Sequence, residues 1–287
     1  IPFVPLKGAV IRKYYDEAWL RTSCDIDILI KENDLKKSVD ALVGHLGYKT
    51  DGKREFHDIS LFSESGVHLE LHFNILSNLE AIDKLLGSVW EHTVLSERGS
   101  FEYCLDNEFF MFYLTAHMAS HVLSGGCGIR SIMDMKIMRM NLKYDEQKVI
   151  NSCKQCGIDR FYLSVKKLSD IWFSGVCHDE NSVKMENYIL NGGIYGVMKT
   201  GIAAKMETGG RLKYALHRIF QPYYVIKEKY PILKKYPVLT PFYEVRRWID
   251  IVIRGRAKAS IKELEINSKV TKEDVAKVKD MLSAFGL

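Results

Sequence analysis

The sequence contains no run of about eighteen apolar residues, which leaves no candidate for a membrane-spanning helix and none for insertion into a bilayer. It also has no internal repeat and no low-complexity tract, so solenoids and disordered linkers are not expected. A large excess of either charge is lacking: the formal net charge is +5 over 287 residues. That mild excess suits an anionic substrate, and it does not require nucleic acid as a partner. The six cysteines (24, 104, 127, 153, 156 and 177) are scattered, and no signal peptide precedes them, so a reduced, cytoplasmic protein is expected. Cys153 and Cys156 form a lone Cys-x-x-Cys with no second pair at zinc-ribbon spacing, which chance explains better than metal. The chain opens on Ile1-Pro2 rather than methionine, which leaves room for a segment ahead of it.

Further absences narrow the chemistry. His117 and His121 are one helical turn apart, and Asp134 offers a third donor, so zinc is conceivable. Met118 occupies the place of the glutamate in a His-Glu-x-x-His metalloprotease, and a structural or substrate-lining role is favoured for the pair over zinc. Ser124-Gly125-Gly126-Cys127-Gly128 is glycine-rich but lacks the preceding strand that phosphate-binding motifs need, so it reads as an interhelical loop bordering the active cleft.

What is present begins at Pro5. Lys7-Gly8 follows a short apolar run, and Gly8 would let backbone N–H groups approach an anion. Asp25-Ile26-Asp27-Ile28-Leu29-Ile30 reads as a strand with both carboxylates on one face and Ile26, Ile28 and Ile30 on the other. In Val67–Phe73 the alternation is strict, with His68, Glu70 and His72 on one face and Leu69, Leu71 and Phe73 opposite. An isolated Asp-x-Asp is weak evidence, since acids so spaced are common in turns. The aliphatic row around it, the Lys-Gly turn upstream and the Glu70 strand downstream strengthen it. Carboxylates crowded this way repel unless a cation lies among them, and hard oxygen donors suit Mg2+ or Mn2+. Arg21 is read either as a phosphate clamp or as an ion-pair partner orienting Asp25. His72 is read as touching substrate or as hydrogen-bonded beneath the sheet.

Together Lys7-Gly8, Arg21, Asp25-x-Asp27 and Glu70-x-His72 resemble an uncharacterised bacterial nucleotidyltransferase family in the polymerase-β-like nucleotidyltransferase superfamily. His117, His121, Arg130, Asp134 and the Tyr/Pro/Arg-rich segment 219–256 resemble the family's C-terminal part. The wider superfamily has Gly-Ser where this chain has Lys7-Gly8 followed by Ala9, so the serine contact to phosphate is missing. The resemblance implies transfer of a nucleotide, AMP from ATP, to an acceptor hydroxyl with release of pyrophosphate. Asp25, Asp27 and Glu70 would be catalytic and metal-binding, and Lys7, Gly8 and Arg21 would hold the nucleotide. His72, His117, His121 and Arg130 would meet the acceptor, whose identity, like the oligomeric state, is not legible. Neither aspartate is expected to be needed for the fold. Two other functions compete: a catalytically idle module that senses nucleotide or binds a partner, and an Asp-x-Asp glycosyltransferase. The second is disfavoured because the motif lies within thirty residues of the start.

The expected architecture is α+β. A mixed-sheet nucleotidyltransferase core with flanking helices spans 1–105, and an all-helical domain closing the cleft spans 106–287. In the core, the spacing predicts helices from about Ala9 to Trp19 and from Asn33 or Asp34 to Gly47, with a hairpin from Phe56 to Phe73. Beyond 106, helices are expected near 129–141, 145–156, 158–173, 183–190, 194–206 and 272–284. Pro222, Pro231, Pro237 and Pro241 exclude one long helix over 219–243, and Arg246, Arg247, Arg254 and Arg256 follow on a further helix.

Overall fold

The computed structural model describes residues 1–52, 54–75, 77, 79–192, 198–206, 210–253 and 257–287. The chain divides into two compact units, one made of Ile1–His117 with Met133–Tyr162 and the other of Met118–Ile132 with Leu163–Leu287. The architecture is a mixed N-terminal sheet with flanking helices followed by an all-helical C-terminal region, as the α+β expectation has it. Position 105 ends a strand of the first unit, and 106 leads into a helix that begins in that same unit.

In the first unit, β1 (Phe3–Pro5), β2 (Asp25–Ile30), β3 (Asp58–Phe62) and β4 (His68–His72) form a four-stranded sheet in the order β1-β2-β4-β3. The β2/β4 pair is parallel and its neighbours are antiparallel. The β3/β4 hairpin turns through Ser63–Gly66, where Gly66 takes a φ of 87° that other residues adopt at a cost. One face of the sheet buries Ile59, Leu61, Leu69, Leu71 and Phe73 with Leu35 of helix α2. Roughly 1.5–3 kcal/mol per fully buried aliphatic or aromatic side chain makes this layer the fixed floor under the opposite, polar face.

Two helices flank the sheet early in the chain. Helix α1 is only Lys7–Ile11, continued by a 3-10 turn at Arg12–Tyr14. The longer helix expected to Trp19 is interrupted because Tyr15 turns extended (ψ 147°) and its hydroxyl donates to Asp134 Oδ1 at 2.7 Å. Helix α2 (Leu35–Leu46) ends at Gly47, which is left-handed with φ 67°. Asp34 leads in through a 3-10 turn rather than by a side-chain cap bond. Helix α3 (Glu80–Leu86) and a small sheet of β5 (Thr93–Leu95) with β6 (Tyr103–Leu105) precede helix α4 (Asn107–Leu123), whose first turn Asp106 caps by accepting from Phe109 N at 2.7 Å.

The remaining helices are α5 (Ile129–Asn141), α6 (Glu146–Gln155), α7 (Asp159–Ser174), α8 (Glu180–Gly192), α9 (Met198–Met206), α10 (Gly210–Ile219), α11 (Tyr223–Lys229), α12 (Ile232–Lys235), α13 (Thr240–Ile253), α14 (Ala257–Lys269) and α15 (Lys272–Phe285). The four prolines cut 219–243 into α11, α12 and a 3-10 turn at Pro237–Leu239, as their fixed φ requires. Arg254, Arg256 and the first residues of the helix expected at 194–206 lie outside the described residues. Among the described residues no helix is long and apolar enough to cross a membrane.

In the second unit the glycine-rich loop is a packing device. A Cβ on Gly201 of α9 would lie 2.2 Å from the Ser124 carbonyl oxygen, so the helix reaches the loop only because that position is glycine. Gly125 and Gly126 next to Ser124 have φ of 129° and 142°.

Candidate active site

The polar face of the sheet is built by register. Asp25 pairs with His68 and Asp27 with Glu70 across the parallel β2/β4 ladder, while Ser60 pairs with Glu70 and Asp58 with His72 across β3/β4. Alternation therefore brings Asp25, Asp27, His68, Glu70 and His72 to one side. Two overlapping donor sets result, Asp25 with His68 and Glu70, and Asp27 with Glu70 and His72, each with ligand atoms within 4.8 Å of one another.

Asp27 is the buried centre, 5% exposed. Its Oδ1 accepts from Lys7 Nζ at 3.0 Å and lies 2.9 Å from His72 Nε2. Burial alone would raise this carboxyl, but the His72 hydrogen bond and the Lys7 charge outweigh it and hold Asp27 well below the usual carboxylate range. His72 Nε2 also lies 3.5 Å from Glu70 Oε2. Burial works against the imidazolium, yet the bonds to Asp27 and Glu70 prevail and His72 is raised above 6.5. The His72 bond in turn keeps Glu70 below its ordinary value. Lys7 follows the same logic: burial pulls it down, while Tyr113, Asp27 and Glu70 more than compensate and keep the ammonium charged.

Asp25 is the exception. Burial first, then the charges of Asp27 and Glu70, raise its pKa. Lys7 and His72 do for Asp27 what a bound cation would do, and Asp25 is left with the repulsion. A divalent cation fits this donor set, because hard carboxylate oxygens converge on it and the uncompensated charge at Asp25 falls when it binds.

Lys7 itself has φ 37°, the one described residue other than glycine in the left-handed region. This conformation turns the chain from β1 into α1 with Nζ reaching Asp27, and it costs of order 1–3 kcal/mol that the surrounding contacts must offset. Tyr113 of α4 is 1% exposed, and burial raises its hydroxyl far above the ordinary phenol value, so it stays protonated close to the Lys7 charge. His117, one turn further, meets the Tyr113 ring edge-on at 6.2 Å.

Arg21 forms an ion pair, but not with the expected Asp25. Nε and NH2 donate to Asp134 Oδ1 and Oδ2 at 3.2 and 2.8 Å, a bidentate pair in which both residues are 7% exposed. Its partner is thus Asp134 of α5 and not Asp25. A Cβ on Gly8 would lie 2.8 Å from Arg21 Nη1, so a larger residue there would push the guanidinium aside. Asp134 is committed to Arg21 and Tyr15, and among the described residues it belongs to no ligand group with His117 and His121. His117 lies in the first unit, whereas His121 and Arg130, both exposed, lie in the second.

Three residues here carry roles that their local sequence does not announce. The His57 ring stacks on His72 with centroids 5.3 Å apart, and burial followed by the charges of His72 and Lys7 lowers it to about 4. Asp58 is raised, chiefly by burial. Strand alternation places it beside His72 once the hairpin register is known. Tyr113 lies four residues before His117, and that spacing was its only signal. His68 is held by stacking on Phe62 at 4.5 Å and by Ser60 Oγ at 3.1 Å.

A parallel strand pair that presents clustered carboxylates beside a charged lysine suits metal-assisted chemistry on phosphate groups. The match to known families is narrower: residues 1–174 match the family described as uncharacterised nucleotidyltransferase, and the chain belongs to that family. Nucleotidyl transfer is accordingly its general function. No curated protein matches the chain. The match takes in all of the first compact unit and ends before 219–256, the segment expected to share the resemblance.

Proposed function

We propose that the protein transfers AMP from ATP to an acceptor hydroxyl and releases pyrophosphate, with Asp25, Asp27 and Glu70 holding Mg2+ or Mn2+. The observation that carries this reading is the pairing of Asp27 with Glu70 on adjacent parallel strands, with Asp25 two residues away on the same face. When bound, the metal would neutralise the cluster and the phosphates and lower the pKa of the acceptor hydroxyl. The side chains supply the rest. Lys7, kept charged and tied to Asp27, is placed to exchange that contact for phosphate oxygens. Glu70, half-buried and held ionised by His72, is placed to take the acceptor proton. His72 orients both acids, so it is a positioning residue in this scheme. Arg21 supports the site from beneath by fixing Gly8 and the start of α1. His117 is the helical residue proposed to meet the acceptor.

The test uses each nucleotide labelled at the α-phosphate and, separately, at the γ-phosphate, with Mg2+ or Mn2+ and a small-molecule extract. Transfer of the α-label, lost in Asp25→Ala and in Glu70→Gln, is the expected result. Transfer of the γ-label would make the protein a kinase and refute the proposal. A second reading is favoured by the double occupation of Asp27 Oδ1, which suits a nucleotide sensor whose cluster is neutralised from within. It predicts nucleotide binding with no label transferred to any acceptor.

A further inference from the structure

Helix α13 is inside out. Its buried residues are Glu244 and Arg247, joined by a 2.8 Å ion pair. These polar groups fasten the end of α10: Gln221 N donates to Glu244, and Arg247 and Trp248 both donate to the Ile219 carbonyl. Tyr243 still packs on Ile226, Tyr230 and Leu233, but a row of apolar residues faces outward, with Phe242, Val245, Ile249 and Val252 exposed by 68, 60, 52 and 65% and Val238 before the helix by 83%. Their spacing of three and four makes one continuous stripe. Helix α10 repeats the pattern with Leu212, Leu216 and Phe220, exposed by 75, 46 and 60%. Scattered exposed apolar residues are ordinary, but stripes on two amphipathic helices of one segment mark a surface that something covers.

Charge indicates what covers it. Residues 210–253 contain nine lysines and arginines against three acids, while the other 243 residues contain 32 basic and 33 acidic ones. The whole net positive charge of the chain therefore sits on the segment that carries the stripes. A second copy would bring two such basic segments together and be repelled. Nucleic acid would satisfy the charge and leave the aliphatic stripe in water. An anionic lipid surface satisfies both, taking apolar side chains below the headgroups while lysine and arginine meet the phosphates. Tyrosines suit the headgroup level, and Tyr223, Tyr224 and Tyr236 are exposed in the same segment. At fourteen residues α13 is too short to span a bilayer and would lie in its plane.

We propose that α10 to α13 form a peripheral docking surface for a membrane rich in anionic lipid. The test is flotation of the full chain with vesicles of phosphatidylcholine alone or containing about one-third phosphatidylglycerol, at low salt and at about 0.5 M. Wild type should float with the anionic vesicles only, and less so at high salt. The triple variant Phe242→Ser, Val245→Ser, Ile249→Ser, with circular dichroism unchanged, should lower the bound fraction about tenfold. Should that variant misfold, Lys235→Glu with Arg246→Glu provides the second check and should also release the protein. Failure of wild type to float with anionic vesicles overturns the proposal, as does wild-type binding by both variants. A concentration-dependent dimer that the triple variant abolishes, without vesicle binding, would assign the face to a second copy instead.

Discussion

Replacing Arg21 with alanine separates a supporting role from a phosphate-binding one. The guanidinium and the Asp134 carboxylate are held in a bidentate pair with side chains 8 and 10% exposed. Removing one member of such a pair leaves the other charge buried and uncompensated, which costs about 3–5 kcal/mol. Asp134 keeps the Tyr15 hydroxyl at 2.7 Å, so Arg21→Ala should fall near about 3 kcal/mol. Asp134→Ala should cost more, because among the described residues the stranded guanidinium would keep as acceptor only the Thr22 carbonyl at 3.2 Å. The pair Arg21→Met with Asp134→Leu should recover most of the loss, since the desolvation penalty vanishes with both charges. A loss near 3 kcal/mol is about a hundredfold in the local opening equilibrium. Hydrogen exchange of the β2 amides measures it within the first unit, whatever the second unit does. An Arg21→Ala variant with unchanged β2 protection and a raised KM for nucleotide would refute the reasoning and make Arg21 a clamp.

Four further outcomes follow from the geometry. Asp25→Asn should leave stability unchanged or raised, because it removes a repelled carboxylate, whereas Asp27→Asn should destabilise by about 2 kcal/mol by weakening both the Lys7 and His72 contacts; equal urea midpoints for the two would contradict the charge assignment. The expectation that both aspartates are dispensable for folding is thus revised for Asp27. Gly201→Ala should destabilise the second unit by about 3 kcal/mol, since backbone and not a flexible side chain stands 2.2 Å from the new Cβ, and thermal unfolding would register it. His57 is lowered to about 4, so between pH 6.5 and 4 the folded state binds fewer protons than the unfolded one and stability is lost as pH falls through that window; His57→Asn should flatten the acid limb, an effect softened because the ring is 37% exposed. His72 is raised, so its contribution is complete below pH 6.5 and fades as pH rises through the elevated folded value.

The carboxylate cluster was legible in the sequence because a strand's period of two assigns faces without knowledge of the partner. Asp25, Asp27, His68, Glu70 and His72 each follow from local alternation, and only the pairing of Asp27 with Glu70 needed the sheet. The helix ends at Gly47 and the proline breaks after Phe220 were legible for the same local reason. Arg21 was not, because its partner is 113 residues away and a charged residue does not announce which acid it will meet. Nor was the strained Lys7, whose positive φ reflects the turn from β1 into α1 and not a residue preference.

Helix α13 shows where periodicity stops informing. The stripe at 238, 242, 245, 249 and 252 reads from sequence as a core face, and spacing alone would bury it. In the structure the opposite face is buried, because Arg247 and Trp248 satisfy the Ile219 carbonyl at the end of α10 and Glu244 takes the amide of Gln221, backbone groups that would otherwise go without partners. An amphipathic helix fixes the angle between its two faces, but which face meets the protein depends on whose hydrogen bonds it must complete. Where that need turns the polar face inward, the apolar face is exposed, and the net charge around it becomes the better guide to what it contacts.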